Sequence, residues 1–264
     1  MVQILDAAAF YASRKKGNKE ALRENRINVL PVIKEYVTHG QDRMIGGYSS
    51  FCFLQEQGNG NAVVAATTAV LDELVGHTEA VCMESAYRTP TDTLHFHTHI
   101  HAYPDTPERG GLIYDSARVA SFLEISHELI SATPCFSVQF KGVACTQDAV
   151  LVCGYGDSPL DDLRERYYAA MVRYPDAFVL PAGQIIDSIR EKYGKGIAAV
   201  TGARLVASLK DPLRYVEAAE RHVDTDLGTL TVTHLTFTAN NGWIDLRNTS
   251  GDRKDYRAVQ IALK

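Results

Sequence analysis

Four of the nine histidines in this 264-residue chain fall on alternate positions of one short run, LHFHTHIHAY (residues 94–103): His95, His97, His99 and His101. Successive side chains of a strand point to opposite faces. The four imidazoles therefore share one face, and Leu94, Phe96, Thr98 and Ile100 share the other. The pattern describes a half-buried strand, apolar towards a core and imidazole-bearing towards a solvated surface or cleft. Two chemistries use such a face. Alternate imidazoles converge on one metal ion. Alternatively, histidine moves protons near neutral pH in metal-free acid–base catalysis. The bland reading is an exposed strand that tolerates histidine.

The metal reading meets obstacles downstream. A metal-dependent barrel hydrolase sets its HxH pair near the start of a long chain, and a run starting at residue 95 leaves too little chain for eight repeats. A zinc isopeptidase of the JAMM type needs SxxD after the His97-Thr98-His99 triplet, and neither Ser116 nor Ser121 has Asp at the third following position. A cupin wants Glu a few residues beyond its HxH, whereas Glu108 lies seven past His101. No CxxC pair is present. His97, His99 and His101 remain the metal-binding alternative.

The bulk composition narrows the field. With 45% hydrophobic and 22% charged residues the chain reads as an ordinary globular protein. A net charge of −5 argues against binding long nucleic acid, which needs a basic surface, but leaves room for a small phosphate ligand. The N-terminus lacks the basic head and apolar run of a signal peptide. No apolar stretch approaches the roughly 20 residues of a membrane helix. The expectation is a cytoplasmic protein without a membrane partner. The five isolated cysteines (Cys52, Cys82, Cys135, Cys145, Cys153) read as reduced, buried thiols. Oligomeric state leaves no mark on the pattern.

The elements that must position the histidines follow from periodicity. Residues 21–37 have helical spacing interrupted by Pro31, and GGYSSFCFLQ (46–55) reads as a strand ended by the turn signal EQGNGN. Residues 62–76 form a helix closed by Gly76. The histidine strand is entered through RTPTDT, and 115–131 is a helix capped by Asp115 or Ser116. CFSVQFKGVAC and AVLVCGYG make a hairpin, followed by helices over 158–174 and 181–194. IAAVTGARLVASL (197–209) is a strand, 211–223 a helix, GTLTVTHLTFTAN (228–240) a strand and YRAVQIAL (256–263) a closing strand. Strands and helices mix without strict alternation, which predicts an α+β architecture.

Residues 136–166, FSVQFKGVACTQDAVLVCGYGDSPLDDLRER, resemble the central segment of the two-histidine phosphoesterases, the 2′-5′ RNA ligase-like family. That segment carries a strand ending in FKG, a second apolar strand and a helix with an LxxLRxxL-like run. RTPTDTLHFH resembles the family's first signature, a proline-containing approach followed by LHxT. LGTLTVTHLTFTANNGW resembles its closing strand. The resemblance covers roughly residues 46–243. It implies two pseudo-symmetric lobes of antiparallel sheet, flanked by helices around a central cleft. Residues 1–44 would be a helical extension and 45–264 the two-lobed domain. In that family each lobe gives one HxT or HxS strand. The two histidines act as general base and general acid on a phosphodiester, the hydroxyls hold phosphate oxygens, and no metal is required.

The chain departs from that pattern twice. In the first motif His97 stands where threonine is expected, although His97 can still donate a hydrogen bond to phosphate. The second motif has two registers. By pattern, THLTFT supplies His234-Leu235-Thr236. By order of segments, the motif falls at Ala199-Val200-Thr201, with alanine in the histidine's place. That register matches the succession of elements better. Either the fold is degenerate and binds without turnover, or His234 is recruited from a neighbouring strand. Leu235 and Phe237 would face the core and turn His234 and Thr236 to the cleft side. The expected catalytic pair is His95 and His234, with His97, Thr201, Thr236, Lys141 and Tyr48 as substrate ligands. Arg204 is left out, since alternation from Thr201 puts it on the other face. No P-loop or dinucleotide fingerprint is present, so no cofactor is expected. The predicted function is metal-independent hydrolysis of a cyclic phosphate or 2′,5′-linked nucleotide. A nucleotide-binding degenerate fold and a metal enzyme using the histidine row are the alternatives.

Overall fold

The computed structural model describes residues 6–39, 48–75, 86–98, 116–175, 177, 194–239 and 257–264. Its backbone builds two antiparallel sheets with helices packed on them. The chain opens with helices α1 (Ala7–Arg23) and α2 (Pro31–His39). Strand β1 (Tyr48–Phe53) follows, then a 3-10 turn at Leu54–Glu56 and helix α3 (Gly60–Val75). Next come β2 (Ala86–Arg88), a 3-10 turn at Thr91–Thr93 and β3 (His95–His97). Helix α4 (Ser116–Ser131), the hairpin β4 (Phe136–Cys145) and β5 (Ala149–Gly156), and helix α5 (Ser158–Arg173) form the centre. The last third holds β6 (Val200–Leu205), α6 (Pro212–Arg221), β7 (Asp226–Val232), β8 (His234–Ala239) and β9 (Arg257–Ala262).

The first sheet has strand order β3-β1-β8-β9 and the second β2-β6-β5-β4-β7. The α+β architecture expected from the sequence is the one found. Residues 228–240, read as one strand, are two. Thr233 separates β7 from β8, which lie in different sheets. The reason is local. The Thr233 N–H leaves the ladder and donates to Gln57 Oε1 at 3.0 Å, while the Leu263 N–H donates to the Thr233 carbonyl at 2.9 Å. One apolar-alternating run thus stitches the two sheets together.

The hairpin between β4 and β5 is closed by Thr146. Its N–H donates to the Ala149 carbonyl at 2.8 Å, and its hydroxyl oxygen accepts from the Ala149 N–H at 3.0 Å. A bulge interrupts β4 at Gly142, which has φ +72°, and an added Cβ would stand 2.0 Å from the Val223 carbonyl oxygen. Only glycine meets both conditions. The core lies between the helices and one face of each sheet. Phe96, Phe122, Phe140, Leu163, Tyr167 and Phe237 are all fully buried in it.

The N-terminal helices dock on the second sheet. Asp6 caps α1 by accepting from the Ala9 N–H at 2.8 Å. Pro31 starts α2 rather than interrupting a helix, which suits a residue without a backbone N–H. Tyr11, buried to 0% exposure, donates its hydroxyl to the Gly154 carbonyl at 3.0 Å and accepts from the Gly154 N–H at 3.2 Å. Burial holds its pKa well above the ordinary tyrosine value. Tyr11→Phe leaves the Gly154 N–H without its acceptor. The expected cost is roughly 1–3 kcal/mol, read as a lower urea midpoint at unchanged m-value.

The cysteines are mostly as expected. Cys52, Cys145 and Cys153 are buried free thiols, and burial pushes Cys145 to about 11 and Cys153 to about 12. Such thiols stay protonated and inert. Cys135 is the exception, being exposed at the start of β4. His99, His101, Cys82, residues 181–193 of the expected helix and the Asp115 cap lie outside the described residues. No described helix is long and apolar enough to cross a membrane.

Candidate functional site

The histidine strand is positioned by β1. Phe51 pairs with His97, Cys52 with Phe96 and Phe53 with His95. Directly paired residues share a face. His95 and His97 therefore lie with Phe51 and Phe53, while Phe96 and Cys52 turn into the core. The ring contacts follow. Phe51 lies 4.8 Å from both His95 and His97, and the two imidazoles lie 5.0 Å apart, edge to face.

His95 is oriented by the turn that precedes it. Its Nδ1 lies 2.6 Å from the carbonyl oxygen of Thr93, in the 3-10 turn entered through Pro90. A carbonyl only accepts, so Nδ1 carries the proton. Nε2 is then the basic nitrogen of the neutral ring. This is the arrangement a general base requires: one nitrogen tied to the scaffold, the other able to take a proton.

The same face continues onto β8. Phe51 pairs with Thr236 on its other side, and Thr236 with Gln260. Alternation along β8 puts His234 on the same face as Thr236. One row, His97, Phe51, Thr236 and Gln260, crosses the whole sheet, and His95 pairs with Phe53 beside it. Two strand spacings, about 10 Å, separate β3, which carries His95, from β8, which carries His234. Leu235 and Phe237 are fully buried on the opposite, core face.

The residues after β1 hold His234. Gln57 Oε1 accepts from the Thr233 N–H, and Gln57 Nε2 donates to the His234 carbonyl at 3.0 Å. The same amide nitrogen lies 3.5 Å from His234 Nε2. Glu56 Oε2 accepts from the Thr236 hydroxyl at 2.6 Å and stands 3.9 Å from His234 Nε2. The Thr236 hydroxyl proton is thus committed to a carboxylate. Thr233 Oγ1 lies 3.3 Å from His234 Nδ1.

The second sheet meets the first at β3 and β6. Arg164, 3% exposed on α5, joins them. Its Nε donates to the Thr98 carbonyl at 3.0 Å. Its Nη2 donates to the His97 carbonyl at 3.0 Å and the Ile197 carbonyl at 2.6 Å. One guanidinium therefore ties the end of the histidine strand to the approach of β6. Thr201 is half-buried on β6, opposite Leu151, and its carbonyl accepts from the Thr89 hydroxyl at 2.8 Å. Ala199 packs against the cluster of Ala7, Tyr11, Cys153 and Ile197. Helix α1 thus sits on the side of the second sheet that bears Ala199.

Two expectations change. Arg204 shares a face with Thr201, because a bulge lets Val150 pair with Ala203 but Leu151 with Thr201, leaving Gly202 as the extra residue. Arg204 donates from Nη1 to Asp148 Oδ2 at 3.0 Å. Lys141 is exposed at the β4 bulge opposite Asp226, the first residue of β7, and so lies at the end of that strand away from His234. Tyr48 pairs through its backbone with Ala239, and its side chain lies outside the described residues. Among the described residues, no group of three or more His, Cys, Asp or Glu side chains is placed to hold a metal ion. The sequence reading missed Glu56, Gln57 and Arg164. The first two lie in the segment taken only as a turn signal, and Arg164 lies inside the LxxLRxxL-like run.

No family model matches the chain, and no curated protein matches it. Solved structures do. The crystal structure of TT0787 of Thermus thermophilus aligns over 82% of this chain and 97% of its own, with TM-score 0.50 and 14% identity. At that identity the likeness is one of fold. A crystal structure of a phosphoesterase aligns over 83% of this chain and 99% of its own, with TM-score 0.45 and 12% identity.

Proposed function

We propose that this chain is a metal-independent phosphodiesterase, similar to the two-histidine phosphoesterases. Its substrate would be a cyclic phosphate or 2′,5′-linked nucleotide. The observation that carries the reading is the His95 Nδ1–Thr93 carbonyl hydrogen bond, which leaves Nε2 as the basic nitrogen on a face shared with His97 and His234. In hydrolysis of a 2′,3′-cyclic phosphate, His95 Nε2 takes a proton from water as the water oxygen bonds to phosphorus. Protonated His234 gives its proton to the leaving ribose oxygen as the phosphorus–oxygen bond breaks. Proton exchange with solvent restores both rings. His97 and Thr201 supply hydrogen bonds to the non-bridging oxygens. Thr236 serves differently from the sequence expectation, since its hydroxyl holds Glu56.

This arrangement departs from the family pattern. Both acid–base histidines come from the first sheet, and the second sheet contributes Thr201 beside Ala199. That alanine favours one competing reading, a cleft that binds nucleotide without turnover.

The test is turnover of a panel of 2′,3′-cyclic and 2′,5′-linked nucleotides with EDTA present throughout. Chelator-resistant hydrolysis is the expected result. Binding of a panel member without turnover at any pH would replace the proposal with the degenerate-cleft reading. Activity recovered only on adding a divalent cation would replace it with the metal reading, centred on His97 and its neighbours.

A further inference from the structure

We infer that Glu56 and Gln57, consecutive residues after β1, are positioning residues that serve the two protonation states of His234. The inference rests on the acid–base role proposed for that histidine. Its warrant is the directionality of the groups around Nε2. An amide nitrogen only donates, so a hydrogen bond across the 3.5 Å between Gln57 Nε2 and His234 Nε2 is made to an unprotonated Nε2. The proton of the neutral ring is then on Nδ1, facing Thr233 Oγ1 at 3.3 Å.

Protonation reverses the preference. Nε2–H faces a donor in Gln57 and needs an acceptor. Glu56 Oε2 stands 3.9 Å away, already oriented by the Thr236 hydroxyl at 2.6 Å. A small ring rotation exchanges the neutral-state partner for the cationic-state one. Gln57 cannot follow the ring, because its other contacts clamp Thr233 N and the His234 carbonyl. The backbone is held while the imidazole changes partner. When His234 acts as acid, its Nε2 proton passes to the leaving oxygen, with Glu56 at 3.9 Å the ion-pair partner of the cation before the transfer and Gln57 the donor to the bare nitrogen after it.

The experiment uses the full chain, 2′,3′-cyclic AMP as substrate, and Glu56→Gln alone and combined with His234→Ala. Glutamine keeps an acceptor for Thr236 and removes the charge. The expected result is a fall in kcat of roughly 10- to 100-fold, part of the usual acid–base contribution, with KM within about twofold. Adding Glu56→Gln to His234→Ala should cost nothing further. An unchanged kcat, or an equal loss in the His234→Ala background, overturns the inference.

Ring nitrogen NMR of His234 provides a readout independent of turnover. Expected are the Nδ1–H tautomer in the neutral ring and, in the protonated ring, a displaced Nε2–H signal in Glu56→Gln. A neutral Nε2–H tautomer, or a protonated-ring signal that ignores the substitution, overturns it. If the nucleotide is never cut, the reading of the function fails while these signals still decide the inference.

Discussion

Replacing His95 with alanine should lower kcat for cyclic-phosphate hydrolysis by about 10²–10⁴-fold, the usual span for losing a positioned general base. The expectation follows from two features of the ring. Its Nδ1–H is spent on the Thr93 carbonyl, and its Nε2 lies on the same face as His97 and His234. Alanine also removes ring contacts with Phe51 and Phe53, at 4.8 and 5.5 Å, so a loss of activity could reflect loosened packing. His95→Asn separates the effects. An asparagine amide can still donate to the Thr93 carbonyl, but it offers no basic nitrogen. The asparagine variant should keep a urea midpoint closer to that of the parent than the alanine variant does, and both should lose turnover. Steady-state kinetics with a 2′,3′-cyclic nucleotide in EDTA checks this. An asparagine variant with near-parental kcat would remove His95 from the chemistry.

The second large effect is on stability. Arg164→Met should destabilise the fold by roughly 3–5 kcal/mol. The methionine fills much of the space but donates nothing. Three carbonyls, those of His97, Thr98 and Ile197, then lose charged donors at a site 3% exposed. Hydrogen bonds to charged groups are worth about 1.5–3 kcal/mol each, and carbonyls that water can reach recover part of the loss. Arg164→Lys should fall between parent and Met, since one ammonium lacks the planar fork that reaches all three acceptors. Urea denaturation at neutral pH measures the series. A Met variant within about 1 kcal/mol of the parent would mean that the junction of the sheets is held by packing alone. The same substitution tests position as well as stability, because the guanidinium fixes the carbonyl of His97 itself.

Much of the fold was legible because local periodicity and local burial agree. The alternation in LHFHTHIH placed His95 and His97 opposite Phe96, and the structure buries Phe96 completely. The alternation in THLTFT likewise put Leu235 and Phe237 into the core and His234 with Thr236 on the other side. The hairpin of β4 and β5 and the helices α3 to α6 also follow their patterns, with boundaries shifted by a residue or two.

What failed did so where a residue answers to a distant partner. The strand break at Thr233 exists because Gln57, far away in sequence, takes its N–H. The face of Arg204 depends on one unpaired residue, Gly202, and a bulge inverts every later side chain without changing the local composition. Lys141 looked near phosphate by its place after an apolar strand, but its pairing with Asp226 puts it at the end of β7 away from His234. Glu56 and Gln57 read as turn residues because nothing local says that β8 lies beside them.

The sequence by itself determined the faces: which side of each strand is apolar, which bears imidazole, and that the elements mix as α+β. A period of two is an intrinsic property of an extended chain, so it needs no partner to be read. Only the tertiary structure decided which faces meet. It set His95 and His234 on one sheet with β1 between their strands, placed α1 beside Ala199, and tied β3 to β6 through Arg164. Strand order and register arise from hydrogen bonds and packing between segments far apart in the chain, and those pairings leave no trace in the local pattern of residues.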